Sequence, residues 1–151
     1  MSRHLAHLSW SLAPDADFAA GRYSRGYSLR FDGGAEVAGS ASPHVVGNRW
    51  AVAAAVDPEE MFVAAISACH MLTFLHRARL GGHVVLSYTD KAEGMLADRG
   101  DGRLALVQVT LRPIIVWANA PPAADEISRL HDEAHAECFI ANSVRTSIEV
   151  A

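Results

Sequence analysis

The pattern of hydrophobic and polar residues divides the chain into strand-like, helical and again strand-like stretches. Alternation in HLSWSL and in YSLRF predicts short strands near the N-terminus, and Asp32-Gly33-Gly34 before EVAGSA predicts a hairpin turn. The alternation is lost from Ser42 to Val56, where Pro43 and Gly47 favour a loop.

A long apolar helix is predicted to begin at Asp57-Pro58-Glu59-Glu60. Asp57 can accept the free N–H groups of a first turn, Pro58 suits the first helical position, and Glu60 completes a capping box. The run MFVAAISACHMLTFLHRARL is apolar on almost every side, and Gly81-Gly82 ends it. A helix without a polar face is expected at the centre of the molecule or of an oligomer.

The C-terminal half predicts a hairpin, a second helix and a last strand. HVVLSYTDKAEGML and RLALVQVTLRPIIVWA are typical of two long strands, joined by a turn from Asp98 to Gly102. The second helix starts near Pro121-Pro122 and covers AADEISRLHDEAHAEC, and SVRTSIEVA is the final strand. This order indicates a single α+β domain over residues 1–151, with mainly antiparallel sheets and a central buried helix.

Composition is that of a globular protein and argues against nucleic acid as a partner. Half of the 151 residues are hydrophobic, and the formal net charge is −4 without a cluster of Lys and Arg. The N-terminus lacks the features of a signal peptide, and the most apolar segment, Met61 to Leu75, is shorter than the roughly 18 residues of a membrane span. We therefore expect a cytoplasmic protein that does not enter a membrane. In that reducing compartment a disulfide would be transient or catalytic.

Two cysteines are the strongest candidates for chemistry. Cys69 lies within the apolar helix beside Ser67 and His70, and Cys138 lies at the end of the second helix. A lone buried cysteine is often only a small core residue, but a second cysteine at a helix end favours a working thiol pair. Acyl transfer has less support, because Cys69 is not on a nucleophile elbow and His70 points about 100° away from it on a helix.

A zinc site is an alternative use of the same region. His131, His135 and Cys138 share one helical face through their spacing of four and three residues. With Cys69 or His70 they would complete a tetrahedral site. The two histidines fit a solvated face among acidic neighbours better, and neither CxxC nor HExxH is present.

Two segments resemble motifs of the OsmC/Ohr family, and the likeness extends over nearly the whole chain. They are DPEEMFVAAISACHM and AHAECFIANS. Members of that family are dithiol peroxidases that favour organic hydroperoxides, so the resemblance implies a peroxidatic Cys69 and a resolving Cys138. It also implies an intertwined homodimer, no bound cofactor, and an external thiol reductant of the lipoyl type. It does not separate the OsmC branch from the Ohr branch.

The resemblance further implies a glutamate and an arginine that serve the peroxidatic cysteine. The glutamate falls on Glu59, and the arginine matches Arg25 or, as second choice, Arg49. Arg22 fits an ordinary solvated side chain. Apolar surroundings raise the pKa of a thiol, so a permanently charged guanidinium is needed to stabilise the thiolate of Cys69.

Three hypotheses of function follow. The first is a thiol peroxidase that reduces organic hydroperoxides through a Cys69 sulfenic acid and a Cys69–Cys138 disulfide. The second is a binding module of the same fold with an apolar ligand pocket, and the third is a zinc-stabilised structural domain. Glu59 and Cys69 are about 15 Å apart along a straight helix, so a second chain is expected to help complete the site.

Overall fold

The computed structural model describes all of residues 1–151. Its strands are β1 (Ala6–Ser9), β2 (Tyr27–Phe31), β3 (Glu36–Gly39), β4 (Val85–Asp90), β5 (Glu93–Asp98), β6 (Leu104–Leu111), β7 (Pro113–Trp117) and β8 (Ser147–Val150). Its helices are α1 (Pro43–Val46), α2 (Pro58–Leu80) and α3 (Ala124–Glu137). The chain forms two compact units, Met1–Met61 and Phe62–Ala151. The single domain expected over residues 1–151 stays a prediction.

The N-terminal unit is built on an antiparallel sheet with strand order β1-β2-β3. Leu29, in the central strand, pairs with Leu8 on one side and Val37 on the other. Between β2 and β3, Gly34 adopts a φ of 87°, a left-handed conformation that glycine takes without a steric cost. The hairpin predicted from Asp32-Gly33-Gly34 is therefore confirmed.

A short helix interrupts the loop that was predicted from Ser42 to Val56. The Ser42 hydroxyl accepts the N–H of His44 at 3.3 Å, and Pro43 occupies the first turn of α1. Ser42 and Pro43 are suited to begin a helix, because one caps a free N–H group and the other needs none. A helix of four residues is too short to show a helical pattern of hydrophobic positions, so the sequence pattern did not reveal it. The loop prediction was wrong for this one turn.

Both ends of α2 lie where the sequence predicts them. Asp57 Oδ1 accepts the N–H of Glu60 at 2.7 Å, and Glu60 Oε2 accepts the N–H of Asp57 at 3.0 Å, which completes the capping box. At the other end Gly82 has a φ of 80°, and His83 N donates to Ala78 O at 2.9 Å. This is a Schellman cap, which requires a left-handed residue just after the helix.

Within one chain α2 is covered along a single stripe. Its buried residues recur every four positions: Ile66, His70, Phe74 and Ala78. Only 22% of its most apolar stretch is buried, and Leu72 is 63% exposed. By length and apolarity alone α2 would also pass for a membrane-spanning helix, but the core helix of a soluble protein passes the same test. Apolar surface of α2 is therefore exposed within one chain.

In the C-terminal unit each predicted long strand is divided in two. β4 pairs with β7 and β5 with β6, so a long hairpin bends at Asp90 and Arg112. Asp90 Oδ1 accepts the N–H of Arg112 at 2.7 Å, and Asp90 Oδ2 accepts the hydroxyl of Ser67 at 2.5 Å. One carboxylate thus fixes the bend and attaches it to α2.

The remaining strand, β8, pairs with β6 in parallel, with Val109 opposite Ile148. All other strand pairs are antiparallel, so the predicted α+β class with mainly antiparallel sheets is confirmed. Two buried clusters form the core of this unit. One is Phe74, Ala78, Leu130 and Ala134, between α2 and α3; the other is Ile66, Val109 and Leu111.

Candidate active site

The structure brings Cys69 and Cys138 together. Cys69 lies in the middle of α2 and is partly exposed, whereas Cys138 follows the last residue of α3 and is 1% exposed. The two side chains lie close enough for the Cys69 thiol to raise the pKa of Cys138, and both are free thiols. Residues far apart in sequence therefore lie near each other, one partly exposed and the other buried.

The turn after α3 encloses Cys138. The N–H of Ala141 donates to Cys138 Sγ at 3.3 Å, and the side-chain amide of Asn142 donates to Ala136 O at 2.9 Å. Burial, and then the neighbouring Cys69 thiol, raise the pKa of Cys138 above its ordinary value. Because the thiolate is the nucleophile, this raised pKa and the burial of Cys138 both lower its reactivity towards a reagent in solvent.

Two buried histidines lie on the same two helices as the thiols. His70 Nε2 and His131 Nδ1 are 3.0 Å apart, so one ring donates and the other accepts. Burial lowers the pKa of His70 to about 4 and also lowers the pKa of His131. Both imidazoles are therefore neutral near pH 7, and neither supplies a cation for the Cys69 thiolate.

The prediction that both histidines lie on a solvated face of α3 is confirmed for His135 and wrong for His131. His135 is exposed, whereas His131 is 9% exposed and bonded to His70. Positions four residues apart differ by about 40° around the helix axis. At the edge of a packed face this difference is enough to bury one side chain and expose the other. No three His, Cys, Asp or Glu side chains are grouped to hold a metal, so the arrangement proposed for zinc is not formed.

The two candidate arginines lie on neighbouring segments of the N-terminal unit. The Arg25 N–H donates to Trp50 O at 2.8 Å. The half-buried Arg25 guanidinium donates to Tyr23 O at 2.6 Å and lies 3.5 Å from the centre of the Tyr23 ring. Arg49 is exposed, with its guanidinium 4.8 Å from the Trp50 ring. Neither arginine forms an ion pair, whereas the exposed Arg22 pairs with Asp17 at 2.7 Å.

Glu59, in the first turn of α2, carries an unsatisfied oxygen. Its Oε2 atom is buried and has no hydrogen-bond partner. A buried carboxylate oxygen without a donor is costly, so this position calls for a cation or another hydrogen-bond donor. After burial itself, the negative charges of Asp57 and Glu59 raise the pKa of Tyr27, which places Glu59 near that phenol.

A cavity of about 520 Å³ lies in the same unit. It is lined by Leu8, Ser9, Trp10, Phe18, Tyr23, Arg25 and Tyr27. Arg25 is the one charged side chain in this lining, and Phe18 stacks on Tyr23 with ring centres 4.7 Å apart. The hydrophobic pattern alone does not reveal this cavity; the aromatic residues clustered between positions 10 and 27 are the one indication of it in the sequence.

Comparison with known proteins identifies the family. The profile of the OsmC-like proteins matches residues 51–151. The chain belongs to this family. A solved OsmC-like protein of unknown function from Vibrio cholerae is 43% identical, covers 100% of this chain and 99% of its own, and superposes with a TM-score of 0.96. The predicted OsmC-like fold is thereby confirmed.

More distant structures share the fold. An organic hydroperoxide resistance protein OsmC from Legionella pneumophila is 18% identical, with a TM-score of 0.70 and coverage of 100% of this chain and 98% of its own. An organic hydroperoxide resistance protein from Elizabethkingia anophelis, with thiocyanate bound, is 20% identical, with a TM-score of 0.71 and coverage of 99% and 93%. No curated protein matches the chain.

Proposed function

We propose that this OsmC-like protein is a thiol-dependent peroxidase that reduces organic hydroperoxides to alcohols. The observation that carries the proposal is the proximity of the partly exposed Cys69 to the buried Cys138. A peroxidatic sulfur must be reachable by its substrate, and a resolving sulfur must be able to reach it. Some relatives of the same fold are organic hydroperoxide resistance proteins, which is consistent with this assignment.

In the first step the Cys69 thiolate attacks the outer oxygen of the hydroperoxide. A sulfur–oxygen bond forms, the oxygen–oxygen bond breaks, and the leaving alkoxide takes a proton to become the alcohol. Cys69 is oxidised by two electrons to a sulfenic acid. In the second step the Cys138 sulfur attacks the Cys69 sulfur, hydroxide leaves and is protonated to water, and a disulfide forms.

An external dithiol, for which a lipoyl group is our candidate, would return the pair to its reduced form. Its thiolate attacks one sulfur of the disulfide and forms a mixed disulfide, which its second thiol then resolves. Because Cys138 is enclosed, we assign the initial attack to the Cys69 sulfur. No bound cofactor is needed in this cycle.

The thiolate of Cys69 requires a cation, and Arg25 is our first candidate. Arg25 is half-buried and lines the aromatic cavity, whereas Arg49 is exposed. The unpartnered Oε2 of Glu59 is suited to orient a guanidinium. Tyr27 lines the cavity beside Arg25, and the charge of Glu59 contributes to the raised pKa of Tyr27. This supports a shared role for Arg25 and Glu59.

We further propose that the working form is a homodimer in the cytoplasm. The outward stripe of α2, formed by Ala65, Ala68 and Leu72, is exposed within one chain and apolar, which suits contact with a second copy. Substrate and reductant would be its only other partners, without nucleic acid or membrane.

Thiol counting tests the proposal directly. After a stoichiometric dose of cumene hydroperoxide, the reduced protein should lose two free thiols per chain and gain an intramolecular disulfide. Cys69→Ser should lose none, and Cys138→Ser should retain a trappable sulfenic acid on Cys69. Retention of both thiols in the unaltered protein would contradict the proposal.

The aromatic cavity supports a second candidate, a binding module that holds a small apolar ligand with an acceptor group for Arg25. In that case cumene hydroperoxide would bind without consuming thiols. Quenching of Trp10 fluorescence by non-reactive cumyl alcohol, together with an unchanged thiol count after peroxide, would favour binding over catalysis.

A further inference from the structure

The two helices that carry the thiols are joined by one buried polar contact. His70 is adjacent to Cys69 on α2, and His131 precedes Cys138 by about two turns of α3. Their ring nitrogens, Nε2 and Nδ1, are 3.0 Å apart, and the two residues are 1% and 9% exposed.

The surroundings of this pair hold it in one arrangement. The His131 ring stacks on Phe74 with ring centres 4.4 Å apart, and the two imidazole planes differ by 7°. Aliphatic packing between α2 and α3 tolerates small sliding movements, whereas a hydrogen bond between two buried rings fixes both distance and direction. Moving one helix would leave two buried polar atoms unpaired, which is costly.

The charged groups around the pair do not compete for its hydrogen bond. Asp90 of β4 already accepts from Ser67 and from the Arg112 N–H. His135 and Asp132, on α3, influence the charge of the pair but lie on exposed positions of that helix. His70 and His131 therefore have each other as hydrogen-bond partners.

We propose that His70 and His131 are positioning residues for disulfide formation, and that their hydrogen bond sets the register of α2 against α3 in which Cys138 lies beside Cys69. The inference rests on the proposed peroxidase function. During the step the Cys138 sulfur bonds to the Cys69 sulfur, the sulfur–oxygen bond of the sulfenic acid breaks, and hydroxide leaves with a proton as water. Only the approach of Cys138 depends on the histidine pair; the earlier attack of Cys69 on the peroxide does not.

The test separates these two steps in the full-length protein. Reduced protein is mixed with cumene hydroperoxide, and the Cys69 sulfenic acid is trapped with dimedone at increasing times while disulfide is quantified by mass spectrometry. The variants are His70→Phe, His131→Phe and the double variant, with His70→Gln as a conservative replacement that retains a polar group. Arg77→Met is the matched control, because Arg77 makes the other polar contacts between these helices, to Glu133 at 2.6 Å and to Glu137 at 3.5 Å.

We expect all variants to form the sulfenic acid at the rate of the unaltered protein. Disulfide formation should slow on the order of tenfold in the double variant, the range set by one lost hydrogen bond. It should be largely retained in His70→Gln and unchanged in Arg77→Met. The double variant leaves no unpaired imidazole, so its thermal unfolding should be close to that of the unaltered protein, which separates positioning from a loss of folding.

Disulfide formation at the original rate in a folded double variant would overturn the inference and leave the proposed function standing. Equal slowing in Arg77→Met would also overturn it, since any contact between the helices would then serve. If the unaltered protein forms neither sulfenic acid nor disulfide, the proposed function itself fails, and this inference with it.

Discussion

Ser67 on α2 donates a hydrogen bond of 2.5 Å to Asp90, the last residue of β4. Because the same carboxylate accepts the Arg112 N–H at 2.7 Å, one side chain joins the bent hairpin to the helix that carries Cys69. The placement of the peroxidatic candidate therefore depends on a residue that takes no part in the proposed chemistry.

Asp90→Ala should lower the free energy of unfolding by about 2 kcal/mol, because the Arg112 N–H and the Ser67 hydroxyl lose their acceptor. Urea unfolding followed by circular dichroism measures the change. Asp15→Ala is the control: Asp15 is an exposed aspartate, and its replacement should have an effect within about 0.5 kcal/mol. Equal stability of the two variants would contradict the role of Asp90.

Acid should destabilise the fold through His70. Its pKa is about 4 in the folded protein, below the ordinary value of 6.5. The unfolded chain therefore binds more protons between these values, and stability falls as pH decreases through this window. Between pH 7 and pH 5 the loss from this residue should be about 2 kcal/mol.

Chemical unfolding at the two pH values measures this loss. In the His70→Phe/His131→Phe variant the difference between pH 7 and pH 5 should nearly disappear, because the buried imidazoles are gone. An undiminished pH dependence in that variant would assign the effect to other groups.

Under the role proposed for Arg25, Arg25→Gln should slow the reaction of Cys69 with cumene hydroperoxide on the order of a hundredfold, because a cation beside a thiol lowers its pKa by about one to three units. Stopped-flow kinetics with the Cys138→Ser background isolates this step. Arg22→Gln is the matched control, since Arg22 is exposed and paired with Asp17. A normal rate in Arg25→Gln with a reduced rate in Arg49→Gln would transfer the role to Arg49.

Leu72→Arg should convert a dimer into monomers, because it places a charge on the exposed apolar stripe of α2. Sedimentation velocity at micromolar concentration measures the mass. Leu104→Arg alters an equally exposed leucine at the start of β6 and should leave the mass unchanged. A monomeric unaltered protein would remove the basis for the dimer.

Local features of this protein were determined by its sequence. The capping box of Asp57 and Glu60 and the cap at Gly82 depend on partners within a few residues, so neighbouring residue types suffice to specify them. The β2–β3 hairpin is local in the same sense. The resemblance in motifs further indicated the family, and the profile match confirms it.

Only the tertiary structure decided the features that join distant segments. The bend at Asp90 and Arg112, the parallel pairing of β8 with β6, and the burial of His131 each depend on partners far along the chain; His70 and His131 are 61 residues apart. Periodicity shows which face of an element is apolar but not which residue will oppose it, because that depends on the packing of the whole core. Cys69 and Cys138 were recognisable as candidates from the sequence, but their proximity depends on the packing of α2 against α3.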